Sequence, residues 1–137
     1  MPDTYAARSV GMVRSGLADR AAAPRQADEG APPADLVLDD DVAPALHGIT
    51  VGDRLELVTW LHLGDRSTLA VHPRGDASRP VTGVFATRSP DRPNPIGLHT
   101  VTVVAVDDTV VRVAGLDAVD GTPILDIKPA LGTVDAR

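Results

Sequence analysis

Apolar and polar positions alternate with a period of two in several short stretches of this chain. The clearest is Arg54–His62, where Leu55, Leu57, Thr59 and Leu61 share one face, the pattern of a half-buried strand. Ser9–Arg14 and Asp35–Leu38 are shorter strand candidates. Ser67–Val71 follows the long run after Leu63-Gly64-Asp65-Arg66, which reads as a hairpin turn, and Val81–Thr87 is a further run. Ile96–Val106 is long and β-branched; Asp107-Asp108 leads from it into Val110–Ala114 as a second hairpin, and Pro123–Ile127 closes the set. Val42–Gly48, preceded by acids suited to a helix start, predicts one helical turn closed by Gly48. Ala18–Pro33 has no sustained period and reads as a loop.

Short β-branched segments separated by tight turns predict an all-β fold, a sheet or barrel. No G-x-G-x-x-G follows a strand and no βα alternation appears, which argues against a Rossmann-type cofactor domain.

Length and composition narrow the picture. At 137 residues the chain predicts one domain that buries roughly two-thirds of its unfolded surface. No apolar run approaches the roughly 18 residues of a membrane span, no export signal opens the chain, and there is no Cys. The expectation is a cytoplasmic protein without disulfides or thiolate metal sites. His47, His62, His72 and His99 show no metal-ligand spacing, so no metal is expected. The net charge of −6 argues against a strong general polyanion binder. Yet Arg66, Arg74, Arg79, Arg88 and Arg92 outnumber Asp76 and Asp91 within residues 66–100, leaving room for a local basic face.

Two stretches carry the candidate chemistry. In Gly83–Leu98, GVFATRSPDRPNPIGL, three prolines restrict the backbone and hold Asn94, the only Asn of the chain, between Pro93 and Pro95. Arg88 and Arg92 bracket a short turn, each with a planar fork of donors suited to carboxylate or phosphate. Val84, Phe85, Ile96 and Leu98 are apolar anchors for its ends. The second stretch is Asp117–Pro129, DAVDGTPILDIKP. Asp117 and Asp120 precede Gly121, either as ligand acceptors or as an Asp-Gly turn. Asp126 and Lys128 fall on one strand face, as a structural pair or as groups facing a pocket.

These two stretches, with Val10–Ser15, Pro24–Gln26 and Trp60–His62, resemble the TrmO (TsaA-like) family over most of the chain. The resemblance implies a β-barrel and use of S-adenosyl-L-methionine to methylate N6 of N6-threonylcarbamoyladenosine beside the tRNA anticodon. It also implies a homodimer with the pocket near the subunit interface, and tRNA as partner. Carried over by position, the cofactor pocket comprises Pro24, Arg25, Gln26, His62, Leu63, Arg88, Leu98 and Asp117, Ala118, Val119 and Asp120. Arg25 or Arg88 is then the partner of the cofactor carboxylate. Longer members carry an extra C-terminal domain that this sequence does not continue into, and their usual Lys-Pro-Tyr is Lys128-Pro129-Ala130 here.

Methyl transfer from a sulfonium demands placement and exclusion of water more than acid–base work. An exocyclic adenine nitrogen is a poor nucleophile, and a fixed carbonyl beside it can hold its N–H and orient it. Asn94 suits that role, and equally suits a turn that satisfies its own backbone. Asn94, Asp126 and Lys128 are therefore the catalytic candidates. His62, ending a strand beside Trp60, reads first as a packing residue. Two alternatives stay open beside the tRNA enzyme: a methyltransferase for a small metabolite, and a binding module without catalysis.

Overall fold

The computed structural model describes residues 3–16 and 32–132. Among them run eight strands: β1 (Gly11–Arg14), β2 (Ala34–Leu38), β3 (Arg54–Trp60), β4 (Ala70–Val71), β5 (Thr82–Gly83), β6 (Ile96–Asp107), β7 (Val110–Ala114) and β8 (Pro123–Pro129). Six of them pair antiparallel in the order β1-β2-β7-β6-β3-β8, and β8 returns to β1, so the sheet closes into a barrel. Strands β4 and β5 pair only with each other, outside that ring.

The alternation seen in the sequence is what fills the barrel. Val13, Leu36, Leu57, Val103, Val111, Val113 and Ile124 are all buried and meet in one core, together with Leu55, Val101 and Leu116. Burying each such side chain is worth about 1.5–3 kcal/mol, so the inward positions also fix the register. Two irregularities help a six-stranded ring curve: the β6–β7 register shifts between Val103 and Ala105, and the β3–β8 register shifts at Val58/Thr59. Asp108 takes a φ of 54° in the tight β6–β7 turn, where Asp tolerates the left-handed region.

The segment Asp40–Leu46 is a 3-10 helix rather than a single turn, and a turn through Gly48 (φ 98°) ends it. The expected hairpin between Arg54–His62 and Ser67–Val71 does not form. Strand β3 spends its edges on β6 and β8, while β4 is only two residues long and pairs with β5. The run Val81–Thr87 gives two strand residues and then a 3-10 turn, Val84–Ala86, whose first carbonyl accepts from Thr87 N–H and from Arg92. Among the described residues, no helix is long and apolar enough to cross a membrane.

Candidate functional site

Past the C-terminal end of β3, two loops lie against each other. Residues 61–67 meet residues 88–95 through backbone and side chain. Leu61 N–H donates to Pro95 O at 2.6 Å, and Asp65 N–H donates to Asp91 Oδ1 at 2.9 Å. Gly64 passes so close to the Pro90 carbonyl that a Cβ would collide with it, so this contact requires glycine. Asp65 is in turn held by the Ser67 hydroxyl and N–H, which keeps its carboxyl below the usual range.

Arginines make the proline-rich loop rigid. Arg92 donates to three backbone carbonyls, those of Val84 (2.7 Å), Thr87 (3.0 Å) and Ser89 (3.0 Å). Its guanidinium is thus engaged within the loop. Arg66 stacks on Trp60, 5.1 Å from the ring centroid, and donates to Pro93 O (2.8 Å) and to Asn94 Oδ1 (3.1 Å). A guanidinium has donors only, so this bond fixes which end of the Asn94 amide carries oxygen. Arg88 donates to the carbonyl of Leu98 at 3.2 Å and lies exposed at its surface.

These loops form one wall of an open groove of about 1750 Å³. The groove collects His62, Leu63, Arg88, Asn94, Leu98, Asp117, Ala118 and Val119 from the candidates predicted by sequence. Leu63 and Leu98 are each 47% exposed there, offering apolar surface, and Phe85 at the rim is 87% exposed. Of the four apolar anchors expected for the loop, only Val84 is buried; Phe85, Ile96 and Leu98 face outward. Strand alternation explains this for β6, because Gly97 and Val101 take the inward positions.

The remaining candidates lie elsewhere. Asp120 is exposed and absent from the groove lining; its Oδ1 accepts from Ser15 N–H (3.0 Å), tying the turn before β8 to the end of β1. Asp126 and Lys128 pair at 3.0 Å on the exposed face of β8. They border a second cavity of about 670 Å³ that also takes in Arg54 and Leu55, at the opposite end of β3 from the groove. One chain alone therefore does not bring them to Asn94. Pro24, Arg25 and Gln26 lie outside the described residues.

The sequence reading missed a relay in the groove wall. His99 Nδ1 stands 3.0 Å from Asp117 Oδ1, and His99 Nε2 stands 2.9 Å from Thr59 Oγ1. His99 and Asp117 are only 11% and 22% exposed at their side chains, and Thr59 is buried. A signal existed: Gly97, His99, Val101 and Val103 share one side of a strand, so His99 belongs to the inward face.

Residues 12–136 match the model of the tRNA-methyltransferase O N-terminal domain, and the chain belongs to that family. It is 39% identical over 129 residues to a probable S-adenosyl-L-methionine-binding protein of Methanothermobacter thermautotrophicus, covering 94% of this chain and 92% of that protein. It is 35% identical over 128 residues to an S-adenosyl-L-methionine-binding protein of Archaeoglobus fulgidus, covering 93% and 91%. The crystal structure of TrmO from Pseudomonas aeruginosa superposes with a TM-score of 0.76 at 31% identity. That match covers 100% of this chain and 61% of the TrmO chain, so the chain spans about three-fifths of its length.

Proposed function

We propose that the groove binds S-adenosyl-L-methionine and that the protein is a methyltransferase acting on N6 of N6-threonylcarbamoyladenosine in tRNA. The observation that carries this reading is that most of the first signature stretch, residues 85–92, 94 and 96–98, and the start of the second, residues 117–119, line one groove. The groups there suit the cofactor. Asp117 keeps one carboxylate oxygen without a partner among the described residues, an acceptor for ribose hydroxyls or an ammonium. Leu63 and Leu98 give apolar surface for a base, and Arg88 gives a cation for a carboxylate. S-adenosyl-L-methionine, when bound, supplies an activated methyl group.

On the acceptor side, Arg66 holds the oxygen of Asn94 and leaves its second lone pair for an acceptor N–H. Arg92 keeps the loop from relaxing, so this orientation is set before the acceptor arrives. Arg74 and Arg88 add positive charge beside the groove, in support of a phosphate-bearing acceptor. The homodimer implied by the resemblance fits the exposed Phe85, Ile96 and Leu98, and Asp126 and Lys128 join such a site only from a second copy.

A second reading is a cofactor-binding module that does not catalyse. The names of the two archaeal relatives, which state binding and no reaction, favour it. Transfer of labelled methyl to total tRNA from a strain lacking the modification separates the two. Label in N6-methylated threonylcarbamoyladenosine supports the enzyme; label in a small nucleoside only moves the acceptor to a metabolite; cofactor binding without any transfer supports the binding module.

A further inference from the structure

Strands β3 and β6 pair so that Thr59 stands directly opposite Gly97 and Leu57 opposite His99. Thr59 and His99 are therefore diagonal neighbours on the inward face. A side chain at the position facing Thr59 ordinarily fills the space between such neighbours. Here it is a glycine, and a Cβ added to it would collide with Thr59 Oγ1 and stand 2.8 Å from His99 Nε2. The absent side chain is what lets the imidazole lie across β6 and reach Thr59.

The other face of the ring meets Asp117, which follows β7 and lines the groove. A carboxylate only accepts, so the proton of the neutral imidazole sits on Nδ1, pointing at Asp117 Oδ1. Nε2 is then an acceptor, and the Thr59 hydroxyl donates to it at 2.9 Å. The chain Thr59 to His99 to Asp117 thus has one consistent direction of donation, and Thr59 is buried where no water competes.

We propose that His99 is a positioning residue: held between Thr59 and Asp117 as the Nδ1–H tautomer, it fixes the Asp117 carboxylate so that its second oxygen serves the ligand in the groove. This rests on reading the groove as the methyl-donor site. The ligand chemistry is a hydrogen-rich donor, such as a vicinal diol or an ammonium. Without His99 the carboxylate rotates freely and loses the bond that pre-orients it, so part of the binding energy goes to ordering the side chain.

Two measurements on the full chain test the proposal. Long-range proton–nitrogen correlation on protein labelled with nitrogen-15 histidine reads the tautomer directly. The expected pattern for His99 is a protonated Nδ1 and an unprotonated Nε2, kept in Thr59→Val because the Asp117 carboxylate still demands a donor at Nδ1. Calorimetry with S-adenosyl-L-methionine reads the consequence. His99→Ala and His99→Gln, which lack a donor at the Nδ1 position, weaken binding roughly tenfold, the scale of one charge-assisted bond. His99→Asn, whose amide nitrogen reaches the Nδ1 position, stays within about threefold of the parent. In an Asp117→Ala background His99→Ala has no further effect. A protonated Nε2 overturns the proposal, as does parental affinity in His99→Ala or an undiminished loss in the Asp117→Ala background. If the parent protein itself binds no cofactor, the donor-site reading fails, and the tautomer alone decides whether His99 orders Asp117.

Discussion

Gly97 faces Thr59 across the β3–β6 pair, and the imidazole of His99 lies over the space its missing side chain leaves. This relationship gives a substitution with a diagnostic sign. Glycine inside a strand is ordinarily a weakness, and replacing it with alanine ordinarily stabilises by about 0.5–1 kcal/mol. Here the added methyl meets Thr59 and His99, and overpacking of this kind costs about 1–3 kcal/mol. Gly97→Ala is expected to lower the thermal midpoint and to abolish the His99 tautomer signature. A raised midpoint means that the ring has room to move aside.

Arg88 separates ligand binding from loop structure. Its one bond within the described residues goes to the Leu98 carbonyl. Arg88→Ala is expected to weaken S-adenosyl-L-methionine binding roughly ten- to a hundredfold, as for loss of a charge-assisted bond, with a small change in midpoint. Arg92→Ala differs in kind. It removes a donor from three carbonyls of the loop, of which only that of Val84 keeps Thr87 as a partner, and is expected to show first as lost stability. Thermal denaturation of the two variants side by side checks the contrast.

Asn94 and Arg66 act as a unit if the acceptor is oriented as described. Asn94→Ala is expected to keep cofactor affinity and slow methyl transfer on the order of a hundredfold, the scale a mispositioned reactant costs. Arg66→Ala frees the Asn94 amide to turn and is expected to slow transfer in the same way, with the double variant no worse than Asn94→Ala. Single-turnover rates on tRNA measure this. Additive losses mean that Arg66 touches the acceptor on its own account.

Much of the barrel was legible because six of its strands obey a simple period. Leu55, Leu57 and Thr59 turn inward as their spacing predicts, and the Asp107-Asp108 turn joins the two strands it was expected to join. The short elements were not legible. Ser67–Val71 and Val81–Thr87 carry strand-forming residues, but their placement is decided by Gly64 against Pro90 and by Arg92 against Val84, contacts between residues far apart in sequence or fixed by one side chain. The site shows the same division. The first motif stretch meets the start of the second, residues 117–119, in one groove, while Asp126 and Lys128 fall at the far end of β3 and the His99 relay depends on a cross-strand diagonal that no local pattern announces. Phe85 illustrates the reverse error, an aromatic assigned to packing that lies at the groove rim.

The barrel also carries a pH-dependent contribution away from the groove. Asp35 and Arg112 are directly opposed on β2 and β7, and the guanidinium hydrogen bond at 2.9 Å holds the Asp35 carboxyl below its ordinary range. The folded carboxyl therefore titrates below its unfolded value of about 3.9, so the pair adds stability above that pH and loses it as pH falls through the folded value. Asp35→Asn is expected to lower the midpoint at neutral pH, with the gap to the parent closing in acid below about pH 4. A gap that persists unchanged in acid assigns the effect to packing instead.

Calorimetric titration of the purified chain with S-adenosyl-L-methionine tests most directly whether the groove is the site of the methyl donor. The predicted result is saturable binding in the micromolar range that Arg88→Ala weakens at least about tenfold. No heat of binding up to high micromolar concentrations, from a protein that melts cooperatively, contradicts it.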